Sequence, residues 1–319
     1  MISFSKIFLL LAVACVGPAL QGCVASTTVR YGPVEPGFTY GPAVHPEPRT
    51  FAVVDSRAGA EKGMHTGSFQ VDLEGTTDEI AWLGENLERV FRGQGLDLRR
   101  VSGNADLVLH VKRFRMRNRQ AVLGGPYHTF TTFQGEILRG SEAHPITAYY
   151  KGGYEMSGGD YTPVNRNCYQ LPLEAVALEI AAKINRAAIG RSATAEEVRR
   201  LETEIPLPYG ILTEASFLTV LRLGLTNDRR VVPTLVTLTK REQGWLRAAA
   251  VSALGTVGAT EQFELLRGIY ETDRNVAQLA ALKSIGDLGT PQARAYLETV
   301  RASPGFRREM IREIVALYE

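Results

Sequence analysis

The sequence of 319 residues is poor in cysteine and carries almost no excess of charge. Its net charge is +2, from Lys+Arg 36 and Asp+Glu 34, and it contains three cysteines. This balance gives no support for a nucleic-acid partner or for broad electrostatic attachment to a membrane surface. Beyond the N-terminal region no apolar run reaches about 18 residues, so the sequence does not predict a membrane-spanning helix.

Motifs of catalysis and of metal binding are missing as well. The sequence contains no H-E-x-x-H, G-x-S-x-G, phosphate-binding loop or Cys-x-x-Cys pattern. The histidines lack the spacing of metal ligands; they are His45, His65, His110, His128 and His144. We therefore predict no metal, no cofactor and no enzymatic activity.

The N-terminus is the most informative segment. Lys6 and the α-amino group form a positive start, and the apolar stretch from Ile7 to Val16 is too short to span a bilayer about 30 Å thick. Leu20-Gln21-Gly22-Cys23 follows. This pattern resembles the cleavage and lipid-attachment signal of bacterial lipoproteins. The alternative is an ordinary secretory signal with an incidental cysteine.

The lipoprotein resemblance predicts residues 1–22 as a signal peptide and Cys23 as the site of lipid attachment. The acyl chains would anchor the protein stably, because each buried CH₂ contributes about 0.8 kcal/mol. Val24 stands where an aspartate usually means retention at the inner membrane, so the resemblance implies the outer membrane and its periplasmic face. Cys168 would then have no partner for an intramolecular disulfide.

Proline and glycine dominate residues 23–49, which predicts an extended tether. Residues 50–190 predict an α+β domain, with strands near 51–54, 96–101, 106–118, 127–139 and 146–156. One helix should begin at the capping box Thr76-x-x-Glu79 and end at Gly93, and a second should span about 172–188. We predict an antiparallel sheet with helices on one face.

In one predicted strand the apolar residues switch from odd-numbered to even-numbered positions. They are odd-numbered up to Val111 and even-numbered from Phe114, so we predict a β-bulge near Lys112. The odd positions then carry a row of arginines: Arg113, Arg115, Arg117 and Arg119. A row on one face could bind phosphates, sugar acids or an acidic partner. The alternative is a solvated face that protects a strand edge.

Several segments of this domain form a recognisable pattern. They are Asp55-x-Arg57, the helix end Leu87-x-x-Val90-Phe91-Arg92-Gly93-Gln94-Gly95, the strand Ala105-Asp106-Leu107-Val108-Leu109 and the closing amphipathic helix. Over residues 50–188 the sequence resembles the uncharacterised outer-membrane lipoproteins of the YajG type. The resemblance implies a periplasmic location and no known enzymatic activity.

Residues 211–319 repeat with a period of 31. Five columns keep their residue type through three copies: Val220/Val251/Leu282, Leu223/Leu254/Ile285, Gly224/Gly255/Gly286, Leu235/Leu266/Leu297 and Leu238/Ile269/Val300. Each unit predicts two helices, and we expect the glycine to mark a helix end in the left-handed conformation. Such units bury their apolar faces by stacking on one another. A linker helix, opened by Thr194-x-x-Glu197, is predicted within 191–210.

The repeat looks like HEAT repeats of the short type that is also seen in phycobilisome lyases. The matching residues are Leu246-Arg247-Ala248-Ala249 with Ala253-Leu254-Gly255 and Gly258, then Val276, Ala280-Ala281-Leu282, Ile285-Gly286 and Gly289. The sequence departs from the pattern at Gln278, which aligns with Arg247. The resemblance implies an all-α solenoid over 211–319.

Three functions are open at this point. The preferred one is a lipid-anchored periplasmic scaffold of the bacterial envelope that binds a protein partner through its HEAT-like repeats. The alternative is an envelope protein that binds an anionic glycan or lipid head group through the arginine row. The third is an enzyme with Cys168 as nucleophile, which requires a histidine close in space.

Overall fold

The structure is a computed structural model that describes residues 26–29, 33–43, 47–59, 70–73, 78–120, 127–154, 165–205, 214–241, 244–274 and 276–319. The predicted signal peptide, Cys23 and Thr76 lie outside the described residues. The chain forms an α+β unit followed by helices.

A mixed five-stranded sheet is the centre of the α+β unit. Its elements follow in the order β1 Ser26–Val29, β2 Thr50–Asp55, β3 Gln70–Leu73, α1 Glu79–Gly93, β4 Arg99–Arg100, β5 Leu107–Gln120, β6 Tyr127–Arg139, β7 Glu142–Tyr154 and α2 Leu171–Ile184. The strand order in the sheet is β4-β2-β5-β6-β7. Strands β1 and β3 pair in parallel in a separate two-stranded sheet.

The prediction of an antiparallel sheet is wrong on one side of it. Strand β2 runs parallel to β4 and to β5, whereas β5, β6 and β7 are antiparallel. The cause is the connection between β2 and β5, which passes through α1. A helical crossover returns the chain in its original direction, whereas the short links from β5 to β7 reverse it.

The predicted β-bulge is confirmed. The pairing of β5 with β6 shifts between Val111 and Arg113. The extra residue, Lys112, allows Val111 and Phe114 to face the same core, and both are fully buried. The arginines that follow therefore project from the opposite face of the strand.

Helix α1 begins two residues later than a Thr76 cap would place it. Its N-cap is Asp78, whose Oδ1 accepts hydrogen bonds from the backbone N–H groups of Ile80 at 2.9 Å and Ala81 at 3.0 Å. Aspartate is among the strongest N-cap residues, so it sets the start of the helix. The predicted capping box Thr76-x-x-Glu79 is wrong for this reason.

The second predicted helix is present and is longer than α2 alone. A π-helical turn, Asn165–Gln170, leads into α2, and a second one, Asn185–Ile189, follows it. Gly190 ends the segment with φ 84°. This is the left-handed conformation in which helices commonly end.

From residue 195 onward, the described residues are mainly helical. The helices are α3 Ala195–Glu204, α4 Glu214–Leu225, α5 Val232–Leu238, α6 Gly244–Thr256, α7 Phe263–Thr272, α8 Val276–Leu288, α9 Pro291–Ala302 and α10 Glu309–Val315. The predicted cap of α3 is confirmed, because Thr194 Oγ1 accepts a hydrogen bond from the Glu197 N–H at 3.2 Å. Among the described residues, no helix has the length and apolar character needed to cross a membrane.

Helices cover both faces of the sheet. The two helices of the α+β unit, α1 and α2, pack on one face, as predicted, and the C-terminal helices cover the other. On the core face, Trp82 of α1 stacks on Phe114 with ring centroids 6.2 Å apart. On the opposite face, Gln134 Nε2 donates a hydrogen bond to the carbonyl of Leu317, just after α10, at 3.3 Å. The second layer comes from the C-terminal helices, which lie far from the sheet in sequence.

The columns of the 31-residue repeat coincide with the core of the helical part. Its apolar members are all buried; they are Val220, Leu223, Leu235, Leu238, Val251, Leu254, Leu266, Ile269, Leu282, Ile285, Leu297 and Val300. Helices α4, α6 and α8 carry the first two columns, and α5, α7 and α9 carry the last two. The periodicity therefore records which side of each helix faces the interior.

The glycine column has a different role from the one predicted. Gly224 and Gly255 lie within the last turns of α4 and α6, where they come into close contact with α6 and α8 respectively. A Cβ atom would lie 2.6 Å from Ala253 Cα at the first and 2.5 Å from Ser284 Cα at the second. The glycines are thus needed for backbone approach.

The left-handed residues come three positions further on. Asn227, Gly258 and Gly289 have φ values of 54°, 74° and 63°. They also keep the period of 31. The helix ends are therefore set by this second column, which the prediction did not use for that purpose.

Residues 33–43, which we call the strap, pack onto both parts of the protein. Val34, Phe38 and Tyr40 are buried. The Tyr40 N–H donates to the Gln94 carbonyl at 3.0 Å, and its hydroxyl donates to the Leu225 carbonyl at 2.8 Å. The strap is therefore part of the folded body, and the free tether predicted from composition is wrong over these residues. It ties the end of α1 to the end of α4.

Candidate functional site

Four buried charges join the α+β unit to the helices. Glu179 and Lys183 lie on α2, and Lys283 and Asp287 lie on α8. Lys183 Nζ is 2.7 Å from Glu179 Oε1 and 2.6 Å from Asp287 Oδ1. Lys283 Nζ is 2.5 Å from Glu179 Oε1 and 2.8 Å from Asp287 Oδ2. Each lysine contacts both carboxylates, and we call these residues the charge cluster.

The pKa values in the charge cluster show that its members depend on one another. Burial alone would raise the pKa of Asp287, but the two ammonium groups outweigh it and hold that pKa well below its ordinary value. Burial dominates at Lys183 and lowers its pKa. At Lys283 the two carboxylates outweigh burial, and the pKa is raised. Removing one member would leave a buried charge uncompensated.

Neutral groups complete the charge cluster. The Tyr318 hydroxyl lies 2.8 Å from Asp287 Oδ1 and 2.7 Å from the Lys283 carbonyl oxygen. Beside them, between the sheet and α8, is a cleft of about 380 Å³. Its lining carries both signs of charge, including Arg186, Asp287 and Arg294. The balance of charge there gives no preference for an anion or a cation.

A second depression meets the charge cluster at Lys283. It lies between β7 and the helices α4, α6 and α8, and we call it the groove. Its cavity volume is only about 50 Å³, and its lining is mainly apolar and aromatic. It is lined by Tyr149, Tyr150, Lys151, Phe217, Leu221, Trp245, Ala248, Ala249, Ser252, Val276, Leu279, Ala280 and Lys283. The period-31 helices thus supply one wall and the edge strand supplies the other.

Trp245 is the most exposed part of the groove. Its exposed fraction is 46%, whereas that of Trp82, the other tryptophan of the chain, is 6%. The ring of Phe217 packs edge-on against Tyr150, with centroids 5.8 Å apart. One exposed tryptophan beside partly buried aromatic side chains fits the enrichment of aromatic residues at protein–protein interfaces.

Lys151 is the charged member of the groove. It is half-buried on β7, and its Nζ lies over the Phe130 ring, 5.8 Å from the centroid. Burial lowers its pKa. Within the described part of the chain, no carboxylate lies within ion-pair distance of this ammonium. Lys151 therefore differs from the lysines of the charge cluster.

Tyr149 is two residues before Lys151 and lies on the same face of β7. Its side chain is buried, and its hydroxyl has no hydrogen-bond partner among the described residues. Burial raises the pKa of this hydroxyl, and the charge of Glu313 adds to the effect. Burying a hydroxyl without a hydrogen-bond partner costs free energy. The Tyr149 hydroxyl is thus a donor beside the groove that no described residue uses.

The arginine row lies on the sheet face that meets α10. The guanidinium of Arg117 contacts the carboxylates of Glu309 and Glu313, and Arg119 Nη1 lies 3.0 Å from Glu309 Oε2. Arg113 and Arg115 lie on the same face and are partly buried. Two of the predicted ligand-binding residues are therefore paired with acidic residues of the same chain.

Cys168 lies in the π-helical turn before α2 and is fully buried. Burial raises the pKa of its thiol to about 11, although a hydrogen bond with Thr129 acts in the opposite direction. A nucleophilic cysteine requires a lowered pKa and access to substrate. Among the described residues, no group of histidine, cysteine or acidic side chains has an arrangement that could hold a metal ion.

Sequence reasoning missed the residues of the charge cluster and of the groove. Two signals were available, because Glu179 with Lys183 and Lys283 with Asp287 each stand four residues apart on an otherwise apolar helix face. Lys151 and Trp245 gave no comparable signal. Their significance depends on which distant side chains approach them.

Comparisons with known proteins do not assign the chain to a family. No protein family and no curated protein matches the sequence. The hypothetical protein CT253 of Chlamydia trachomatis, solved at 1.65 Å, is 10% identical with a TM-score of 0.28, over 42% of this chain and 94% of that one. An uncharacterised protein of known structure is 12% identical with a TM-score of 0.28. The match covers 50% of this chain and 99% of that one. Structural similarity this low says nothing about function.

Proposed function

We propose that the protein is a lipid-anchored scaffold of the bacterial envelope that binds a protein partner through the groove. The observation that carries the proposal is the groove itself. It combines an exposed tryptophan, aromatic and aliphatic walls and a rigid frame of packed helices. Interfaces of this kind use a few buried aromatic anchors for most of their binding energy.

The 31-residue period supports the proposal that residues 211–319 are HEAT-like repeats. Repeats of this kind stack into surfaces that hold partners. The burial of the apolar columns and the close approach at Gly224 and Gly255 support such stacking. We also propose that the sheet unit is of the YajG type, on the strength of the sequence pattern alone.

The anchor is proposed from the N-terminal sequence. Leu20-Gln21-Gly22-Cys23 supports acylation at Cys23, and Val24 supports transfer to the outer membrane, facing the periplasm. The test is fractionation of envelopes that contain the wild type or Cys23→Ser. The wild type should sediment with the outer membrane and the variant should not. Equal distribution of the two proteins would contradict the anchor.

Partner binding is tested by capture from solubilised envelopes, followed by mass spectrometry. Wild type should capture a specific protein, and Trp245→Ser should lose at least nine-tenths of it. Val54→Ser is the matched control, because Val54 is also an exposed apolar residue, with an exposed fraction of 38%, and does not line the groove. Equal loss with both variants, or no specific capture by wild type, would contradict the proposal.

The alternative proposal is recognition of an anionic glycan or lipid head group by the arginine row. The four arginines share one face of β5, which favours it. The carboxylates of Glu309 and Glu313 already occupy the guanidinium of Arg117, so a ligand would have to displace α10. Replacing Arg115 and Arg117 by alanine should abolish retention on peptidoglycan or lipopolysaccharide, and unchanged retention would contradict this reading.

A further inference from the structure

We propose that the segment bound in the groove presents a carboxylate beside an apolar side chain, and that Lys151 binds the carboxylate. This inference rests on the proposed function, since it names the chemistry of the partner that the groove would hold. Two groups in the groove are not matched by the described residues: a half-buried ammonium without a counter-charge and a buried hydroxyl without a hydrogen-bond partner.

The first group is the ammonium of Lys151. A charge that is partly removed from water gains from a counter-charge or from hydrogen bonds that replace its lost hydration. The described residues supply only the face of Phe130. Both lysines of the neighbouring charge cluster, by contrast, have two carboxylates each within 2.8 Å. The groove therefore has a local excess of positive charge although the whole chain is nearly neutral.

The second group is the hydroxyl of Tyr149. Tyr149 and Lys151 stand two positions apart on β7, which places both side chains on one face. Both line the groove. An ammonium and a hydroxyl are both hydrogen-bond donors, and a carboxylate accepts several hydrogen bonds. A carboxylate is therefore the group that best satisfies the ammonium, which is the more accessible of the two groups.

The rest of the groove determines what must accompany the carboxylate. Its walls are apolar, with Phe217, Trp245 and Leu279 among them. The cavity volume of about 50 Å³ is far below the ~300–1,000 Å³ of pockets that enclose small molecules. It has room for the end of one side chain. The occupant is therefore a protruding segment of a protein, with an acidic group next to an apolar residue.

A zero-length carbodiimide crosslinker tests the inference directly. It condenses a lysine amine with a contacting carboxylate into an amide, with loss of one water molecule in total. Added to the complex captured from envelopes, it should couple Lys151 to the partner. Mass spectrometry should locate the bond at an Asp, Glu or chain-terminal carboxylate that lies next to an apolar residue.

Variants separate this inference from the proposed function. Lys151→Arg keeps the charge but not the reactive amine, so it should retain capture and lose coupling. Lys151→Glu should reduce capture at least tenfold, while Lys151→Met, which is uncharged and of similar length, should give an intermediate loss. Lys240→Glu, at an exposed lysine that does not line the groove, should have no effect.

The capture results for the Trp245 and Lys151 variants separate the proposed function from the inference. If Trp245→Ser abolishes capture but Lys151→Glu does not, the groove binds a partner and the inference about its chemistry is wrong. Coupling at a carboxylate with no apolar neighbour would also overturn the inference. If neither substitution changes capture, the proposed function fails and the inference fails with it. Thermal unfolding of each variant verifies that it is folded.

Discussion

The ammonium of Lys183 lies 2.6 Å from the carboxylate of Asp287, although 104 positions separate the two residues in sequence. This ion pair crosses from α2, which packs on the sheet, to α8, which belongs to the period-31 helices. It is fully buried and shares its carboxylate with Lys283. Formation of the charge cluster therefore requires that both parts of the protein are folded and docked.

Removing one carboxylate should destabilise the whole protein. Asp287→Ala leaves Lys183 and Lys283 with one counter-charge between them in the interior. We expect the free energy of unfolding to fall by about 3–5 kcal/mol. Urea unfolding measures it. Glu298→Ala, whose side chain is 69% exposed, is the control and should stay within about 0.5 kcal/mol of wild type.

The same carboxylate should make stability depend on acid pH. The pKa of Asp287 is lowered in the folded protein, whereas in the unfolded chain it is about 3.9. Its contribution is therefore complete above that value. As the pH falls further, the unfolded chain takes up a proton that the folded protein does not, so the free energy of unfolding decreases until the lowered pKa is passed.

Urea unfolding at about pH 6 and about pH 3 checks this pH dependence. Wild type should lose more free energy of unfolding between the two pH values than Asp287→Asn, which cannot titrate at this position. Equal losses for the two proteins would mean that Asp287 has the same pKa folded and unfolded.

Gly255 and Gly268 should respond in opposite directions to the same substitution. A Cβ at Gly255 would lie 2.5 Å from Ser284 Cα, so Gly255→Ala should cost about 1–3 kcal/mol through overpacking. Gly268 lies inside α7 with open space where its Cβ would be. Gly268→Ala should stabilise by about 0.5–1 kcal/mol, because alanine is the better helix former. Thermal unfolding measures both, and equal signs would contradict the packing.

The link between the arginine row and α10 should be weak and sensitive to salt. The side chains of Arg117 and Glu309 are 36% and 37% exposed. A double-mutant cycle with Arg117→Ala and Glu309→Ala should give a coupling of about 0.2–1 kcal/mol that shrinks at high salt. Arg117→Ala combined with Glu88→Ala, on the distant helix α1, should be additive.

The thiol of Cys168 should be nearly inert in the native protein. Its pKa of about 11 leaves little thiolate at pH values near 8, and its side chain is buried. In a protein that begins after Cys23, it is the only thiol. Reaction with a thiol reagent should be slow in buffer and fast in denaturant. Rapid native labelling would reopen the nucleophile hypothesis.

Local features of the fold could be predicted from the sequence, and the reasons are physical. The bulge at Lys112 follows from a change of apolar parity within one strand. The cap at Thr194 needs only the next three residues. The period of 31 identified the buried positions of the helices. Each of these signals lies within a short stretch of chain.

Features that depend on distant residues could not be predicted in this way. The parallel pairing of β2 with β5 is decided by the path of the chain between them. The carboxylates that contact Arg117 come from residues 309 and 313. Composition marked the strap as extended, but it gave no hint that Phe38 and Tyr40 would be buried. The groove likewise joins β7 to helices that lie far from it in sequence.

The strap also sets how far the folded body can stand from a membrane. If Cys23 carries the proposed anchor, only the ten residues up to Pro33 separate the lipid from the start of the strap. At about 3.3–3.6 Å per residue, even a fully extended chain spans roughly 35 Å. The start of the strap would then stay within about 35 Å of the bilayer, whatever the orientation of the folded body.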